Sequence, residues 1–575
     1  MIPRSLNIFF PFLKKKERTG WRGRCHRWLT LLGPVWRSSP VRRVIQVVCL
    51  ALFFYFFFFT CWPYAEHFTS TTFSDKEWMP VDSFLLIDPL VGLSTVLAGK
   101  VLNWGTLVWM VGVVALCLLI PRGFCGFLCP LGTLIDGFDW LIGRHFRKLH
   151  LEEPRGGWVH FKYYLLVAVL MSSVFGVLTS GFFSAIPVLT RGVLFTGGRL
   201  QLGLIKGWEN VGPAGWTMYL SVAMAAGVFL LSLLGKRFWC RYACPSGALL
   251  SFFNLFRVSE RKVESTCIHC DRCVEICPFA AIKEDFTTRT SDCTLCQSCG
   301  GVCPTDAIKF VPRGNLINLK INDDPPVKPR PLSRRGFMAA GAVGVAAAAA
   351  TPIHGRAKNR DLPLRPPGSV PEREFLDLCI RCGECFNVCP GPVLHPAGLE
   401  HGLESLWTPV AVPSHAGCHQ DCSFCTQVCP TGAIQPLEIE VKRKVHMGLA
   451  IMNTETCLPF DDEGREDCDD CYQECVDAGY NAIEMRTLKF DLNPPPPAGV
   501  FSDEEIEQMS SIHAPFVNAD ACVGCGICEY RCHTKYVKQI GRLNQSAIIV
   551  KALKEHRALK FPERPEDLPA PGTTS

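Results

Sequence analysis

The stretches CIHCDRCVEICP (267–278) and CTLCQSCGGVCP (293–304) each read C-x2-C-x2-C-x3-C-P. Two-residue gaps let a single loop wrap three thiolates around one iron–sulfur cubane. The fourth cysteine is carried off by the following helix and, in two-cluster ferredoxins, ligates the other cluster. The spacing therefore assigns Cys267, Cys270, Cys273 and Cys303 to one centre, and Cys293, Cys296, Cys299 and Cys277 to a second. The short segments Ala281-Ile282 and Ala307-Ile308 stand where strands would close such a domain.

Four further groups follow. Cys379, Cys382, Cys385 and Cys389-Pro390 keep the regular spacing, while Cys418, Cys422, Cys425 and Cys429-Pro430 widen the first gap by one residue. Cys457, Cys468, Cys471 and Cys475 insert a long acidic loop after the first cysteine. Cys522, Cys525, Cys528 and Cys532 are regular again, with His533 in place of the proline and Val476 in that place in the preceding group. Proline shapes the exit of the loop, so its absence removes no thiolate. The expectation is six [4Fe–4S] clusters.

Of 32 cysteines in 575 residues, 24 fall into these groups, a pattern that favours metal over a disulfide scaffold. Zinc ribbons use two knuckles separated by a longer stretch, which suits the regular groups poorly and the stretched Cys457–Cys475 group better. No C-x-x-C-H is present and no histidine lies inside an apolar run, which argues against haem. No molybdenum, flavin or nucleotide motif is apparent, and the basic runs have a membrane explanation rather than a nucleic-acid one.

The chain is 48% hydrophobic, and its long apolar runs fill the first 235 residues or so. Runs near 43–62, 104–120, 163–183 and 216–234 are each about long enough to cross a hydrocarbon core. A weaker run, 84–98, is interrupted by Asp88-Pro89 and reads as re-entrant or interfacial. Basic residues mark the cytoplasmic side: a cluster from Lys14 to Arg43, then Arg122, Arg144, Arg147, Lys148 and Arg155, then Lys236, Arg237 and Arg241. The alternate loops are poorer, with Lys76 and Lys100 in one and Arg191, Arg199 and Lys206 in the other.

Two matched motifs, Cys125-x3-Cys129-Pro130 and Cys240-x3-Cys244-Pro245, follow the second and fourth runs, each after an arginine (Arg122, Arg237). They read either as a joint four-cysteine redox or metal site or as reduced thiols that pack a turn. Cys25, Cys49, Cys61 and Cys117 are single and read as small apolar residues.

Residues 320–335 are rich in proline and charge, as a linker is. Ser333-Arg334-Arg335-Gly336-Phe337-Met338 then precedes an alanine-rich apolar run, the form of a twin-arginine export signal, here internal. Such a signal carries folded domains outward and either remains as a further anchor or is cleaved.

The fold expected is an α-helical membrane domain of four spans followed by two α+β ferredoxin-like iron–sulfur domains. Its parts are a basic cytoplasmic N-terminus (1–42), the membrane domain (43–250), a two-cluster cytoplasmic ferredoxin domain (251–319), a linker with the internal signal (320–372), a four-cluster periplasmic ferredoxin domain (373–550) and a tail (551–575).

Residues 40–310 resemble the NapH family of membrane ferredoxins, also similar to MauN. The shared features are the spans, Asp88-Pro89-Leu90, both C-x3-C-P motifs and two terminal clusters. Residues 333–550 resemble the NapG family, also similar to MauM, in the twin-arginine signal and four clusters in this order. The resemblance implies two subunits fused, in the bacterial inner membrane. It implies quinol oxidation there, with electrons passed to a periplasmic reductase or cytochrome of a nitrate-reductase-type system. The chain is then a quinol dehydrogenase component rather than a complete reductase. Asp88, an ionisable residue at membrane depth, is the candidate quinol ligand; it also fits the cap of a helix begun by Pro89. The alternative function is a redox maturation or reactivation factor for a periplasmic metalloenzyme.

Overall fold

The structure, a computed structural model, describes residues 39–59, 82–100, 104–143, 160–208, 211–212, 214–283, 285–313, 333–355, 362–461, 465–490 and 502–553. Most of the basic N-terminus, Cys25, Cys61, Lys76, the basic residues 144–155, most of the linker and the tail lie outside the described residues.

The first half is a bundle of α1 (Pro40–Phe59), α2 (Pro89–Gly99), α3 (Trp104–Leu119), α4 (Pro130–Phe138), α5 (Phe161–Val174), α6 (Ala185–Val193), α7 (Trp216–Leu230) and α8 (Pro245–Phe253). Among the described residues, two helices are long and apolar enough to cross a membrane by length and composition: α1, and α7 with its 3-10 continuation to Leu233. This corrects the four-span expectation. α3 has 16 residues and α5 has 14, about 24 and 21 Å of helix against a core of about 30 Å. The apolar run that continues past α5 is broken at Gly176, whose φ of 84° leaves the helix, before a new helix starts at Ser180. Hydropathy does not register that break.

Only 28% of each candidate span is buried. Val44, Val47, Leu52 and Tyr55 on α1, and Tyr219, Leu220 and Leu230 on α7, face outward. A helix forming the core of a water-soluble domain would turn such side chains inward. On the inner face of α1, Phe53 stacks at 6.2 Å on Phe57 and meets Phe84 edge-on at 5.4 Å.

The first ferredoxin-like region is closed by β1 (Ser259–Val263) paired antiparallel with β2 (Ile308–Pro312), Val263 opposite Ile308. Ile308 thus lies in a strand as the spacing suggests, whereas Ile282 makes only an isolated bridge with Thr288. The second region contains three antiparallel pairs: β3 (Leu394–Pro396) with β4 (Pro409–Ala411), β5 (Gly448–Met452) with β8 (Ile548–Ala552), and β6 (Ile483–Lys489) with β7 (Ser511–Val517).

The two regions cap opposite ends of the bundle. The first meets the start of α1 through Ser39 and Ser298 (2.9 Å), and the start of α5 through Lys162 and Asp292 (2.7 Å). The second meets the other ends of the same helices. Asn387 donates to the carbonyl of Phe57 (2.9 Å) and Arg381 to that of Leu178 (2.6 Å). The Trp407 indole donates to Thr217 at the start of α7 (2.8 Å).

Between the regions runs α9 (Arg334–Gly355). Gly336 abuts Tyr164 and Gly344 abuts the backbone of Ala168, so close that a Cβ at Gly344 would stand 2.5 Å from the Ala168 carbonyl oxygen. Small residues let α9 lie directly on α5 and travel in the same direction, from the end that holds the first region to the end that holds the second.

Candidate metal centres

The structure gathers the 24 motif cysteines into six groups of four, and in every group the fourth thiol comes from a neighbouring motif. Cys267, Cys270 and Cys273 share a hollow with Cys303, and Cys293, Cys296 and Cys299 share one with Cys277. Cys379, Cys382 and Cys385 gather with Cys429. Cys418, Cys422 and Cys425 line a hollow with Cys389. The stretched group closes as Cys457, Cys468 and Cys471 with Cys532, leaving Cys475 to Cys522, Cys525 and Cys528. The crossed arrangement the spacing assigned to the first pair thus recurs twice in the second region. Sequence reasoning left those pairings open because two of the loops are irregular.

The backbone around these thiols is shaped for an anion. In each of the four regular motifs, two residues beside the second cysteine take positive φ: His269 and Asp271, Leu295 and Gln297, Arg381 and Gly383, Gly524 and Gly526. Left-handed residues alternating with ordinary ones turn successive N–H groups into one concavity, an anion-binding nest. Further donors reach the sulfurs directly: Ala281 N to Cys277 (3.2 Å), Ala307 N to Cys303 (3.3 Å), Ile434 N to Cys429 (3.4 Å) and Ala482 N to Cys475 (3.3 Å). N–H···S bonds stabilise a thiolate-bound cluster and tune its potential. Gly417 and Gly524 serve close backbone approach, since a Cβ on either would stand under 3.0 Å from Ile527 or Gly448.

Among the described residues, no three His, Cys, Asp or Glu groups converge closely enough to hold a single metal ion. Burial pushes the thiols of Cys389, Cys457 and Cys525 up to about 12.

Charge is placed selectively. Arg261, 3% exposed, borders both hollows of the first region and donates to Phe286 O (3.0 Å) and Thr288 Oγ1 (2.9 Å). A fixed cation there would favour added negative charge in either hollow. In the second region, Lys442 is held above its ordinary value: burial lowers it, but the surrounding Cys418, Tyr480, Cys422 and Cys425 outweigh that.

The groups of the second region neighbour one another in succession. Cys385 neighbours Cys425, the Cys418 amide donates to the Cys525 carbonyl at 2.8 Å, and Cys528 neighbours Cys471. The group containing Cys382 is the one seated on the helical bundle, where Thr190 donates to the Cys382 carbonyl (2.9 Å). The group containing Cys468 is at the far end.

Asp88 is fully buried and caps α2 through the Leu90 amide (3.1 Å), and it also accepts bonds from Ser184 and Ser246. Cys125, Cys129, Cys240 and Cys244 lie together in the main apolar core of the bundle. Cys49 and Cys117 are free thiols. Sequence reasoning missed Arg191 and Arg381, both buried at the junction of bundle and second region; in the sequence Arg191 reads as an ordinary loop charge.

Two models described as 4Fe-4S binding domains match the chain, one over residues 102–148 and 217–263, the other over 261–283. No solved structure matches it. The ferredoxin-type protein NapG of Escherichia coli (strain K12) is 37% identical over 174 residues, 29% of this chain; the chain spans 65% of that protein's length. The methylamine utilization ferredoxin-type protein MauN of Methylorubrum extorquens is 28% identical over 261 residues, 44% of this chain and 76% of that protein. MauM of the same organism is 33% identical over 218 residues, 36% of this chain and 86% of that protein. On this likeness and the thiol groups above, the chain belongs to the family of ferredoxin-type iron–sulfur proteins represented by MauM.

Proposed function

We propose that the chain moves electrons from membrane quinol to a periplasmic reductase or cytochrome, as a NapH-like unit fused to a NapG-like one. In this reading six [4Fe–4S] clusters are held by the six thiol groups, and when bound they supply one-electron exchange. The single observation that carries it is the succession of the four groups of the second region, beginning with Cys379, Cys382, Cys385 and Cys429 against the bundle. The chain's residues do the rest. Nests and N–H donors steady each anionic site, Arg261 and Lys442 bias potentials, and burial excludes water. Placement of the two ferredoxin-like regions at opposite ends of the bundle supports a cytoplasmic first region and a periplasmic second one. Close packing of α9 on α5 supports a twin-arginine segment retained as an anchor.

The test uses oxidised full-length protein in liposomes under anaerobic conditions, with duroquinol as reductant. Bleaching of the visible iron–sulfur absorption, retarded in Cys382→Ser, is the expected result. Reduction by dithionite but never by duroquinol would overturn the quinol assignment.

A further inference from the structure

The two C-x3-C-P motifs are built as one repeated device. In each, a π-helical turn (Phe124–Leu128, Trp239–Ala243) carries the first cysteine. The second cysteine then caps a nine-residue helix that starts with proline, α4 or α8. The cap sulfur of Cys129 accepts from Gly132 N (3.5 Å) and that of Cys244 from Gly247 N (3.4 Å). The preceding arginines, Arg122 and Arg237, both take left-handed φ near 50°.

The repeats then cross. Arg237 donates to the Cys125 carbonyl (3.0 Å) and to Gly132 O (2.9 Å), while Arg122 reaches the Cys240 carbonyl (3.3 Å). Gly132 and Gly247 leave room for these guanidinium groups, since a Cβ would stand 3.2 Å from Arg237 and 3.0 Å from Arg122. The crossing brings the four thiols together: Cys129 feels Cys125 and Cys240, and Cys244 feels all three others.

The surroundings are soft and positive. Arg122 and Arg237 are wholly buried, and the Arg122 Nε has no hydrogen-bond partner among the described residues. Arg42, Arg43 and Arg237 pair with Asp136, and Arg122 and Lys162 with Asp292. Asp139 accepts from the Arg237 amide. Five cations thus meet three carboxylates. Four thiolates on a [4Fe–4S] core carry a net charge of about −2, which this surplus suits. The 4Fe-4S binding domain model matches 102–148 and 217–263, stretches whose cysteines are these four and Cys117.

We propose that Cys125, Cys129, Cys240 and Cys244 together hold a seventh iron–sulfur centre, two thiolates from each repeat, between the two ferredoxin-like regions. The inference rests on the iron–sulfur reading of the other six groups. Its place is suited to relay: Phe279, next to the Cys277-Pro278 exit, lies under Arg122 and Arg237 at 5.3 and 4.6 Å. The apolar core around the four thiols extends to Cys293 at one end and Cys382 at the other.

Iron and acid-labile sulfide are counted on anaerobically purified full-length protein, with Mössbauer spectra of the same samples. The expectation is about 28 iron atoms per chain in the wild type, falling to about 24 in the Cys125→Ser/Cys240→Ser variant with the remaining spectrum unchanged. A wild type that stops at about 24, with these thiols free, disulfide-bonded or holding one zinc or copper ion, overturns the seventh centre and spares the six. A count well below 24 overturns both. The wild-type count decides the matter even where the variant fails to fold.

Discussion

The wholly buried guanidinium of Arg191, on α6 of the bundle, donates at 2.7 Å to the backbone carbonyl of Arg381, inside the Cys379–Cys382 loop. The same Nη1 also bonds Gly181 O at 2.8 Å, and the cation lies over the Trp407 ring at 4.3 Å. This side chain thus joins the other contacts that hold the second ferredoxin-like region on the bundle, and it places a positive charge beside Cys382 and Cys379.

Arg191→Met should lower the reduction potential of the centre at Cys379, Cys382, Cys385 and Cys429, because a buried cation favours the reduced form. A tenfold change in the one-electron equilibrium is about 59 mV, and a shift of that order is expected in an EPR-monitored titration, with the other centres unmoved. Loss of the charge-assisted bond to Arg381 should also weaken docking by about 2 kcal/mol.

Crossed ligation predicts which substitutions fall together. Cys303→Ser should damage the same centre as Cys267→Ser, and Cys277→Ser the same centre as Cys293→Ser. EPR spectra of the four single variants should form two matching pairs along those lines. Pairing by motif instead, with Cys277→Ser matching Cys267→Ser, would refute the crossing.

Asp88 separates a structural from a quinol role. It is fully buried, caps α2 and accepts from two serines, so Asp88→Ala should cost about 2–4 kcal/mol, read as a lower Tm in detergent. Asp88→Asn keeps most hydrogen bonds and should cost less. If Asp88 also serves quinol, the Asn variant will keep its Tm and lose duroquinol-driven reduction.

The junction should loosen in acid. The His395 ring lies tilted against His415, centroids 4.7 Å apart, and fills the space beside Gly212 of the bundle. Burial, reinforced by His415, holds His395 down at about 4, against 6.5 for a free ring. A depressed histidine means the undocked or unfolded form binds the proton more tightly. Stability is therefore complete above about 6.5 and is lost as pH falls toward 4, by at most about 3 kcal/mol. Tm should drop between pH 7 and pH 5 in the wild type, and less in His395→Gln.

Local spacing carried most of the site. Thiol groups set by C-x2-C loops were legible because the loop itself builds the concavity, and the helix after it exports the fourth cysteine. The pairing of Cys457 with Cys532 was not, because an acidic insertion makes the motif irregular and its partner is over 60 residues away. The bundle was misread for another reason. A hydropathy run counts residues and ignores the backbone, so it passed through Gly176 and counted α5 as a full span. Arg191 reads as loop charge because sequence alone does not show that the second region folds back over it.

The most direct test of the account is EPR spin quantitation with metal analysis on anaerobic, fully reduced protein. Six crossed thiol groups predict iron with sulfide in near-equal amounts, little zinc, and broadened signals from clusters magnetically coupled to their neighbours. Stoichiometric zinc with no low-temperature signal, or isolated uncoupled spins, would contradict a continuous line of centres.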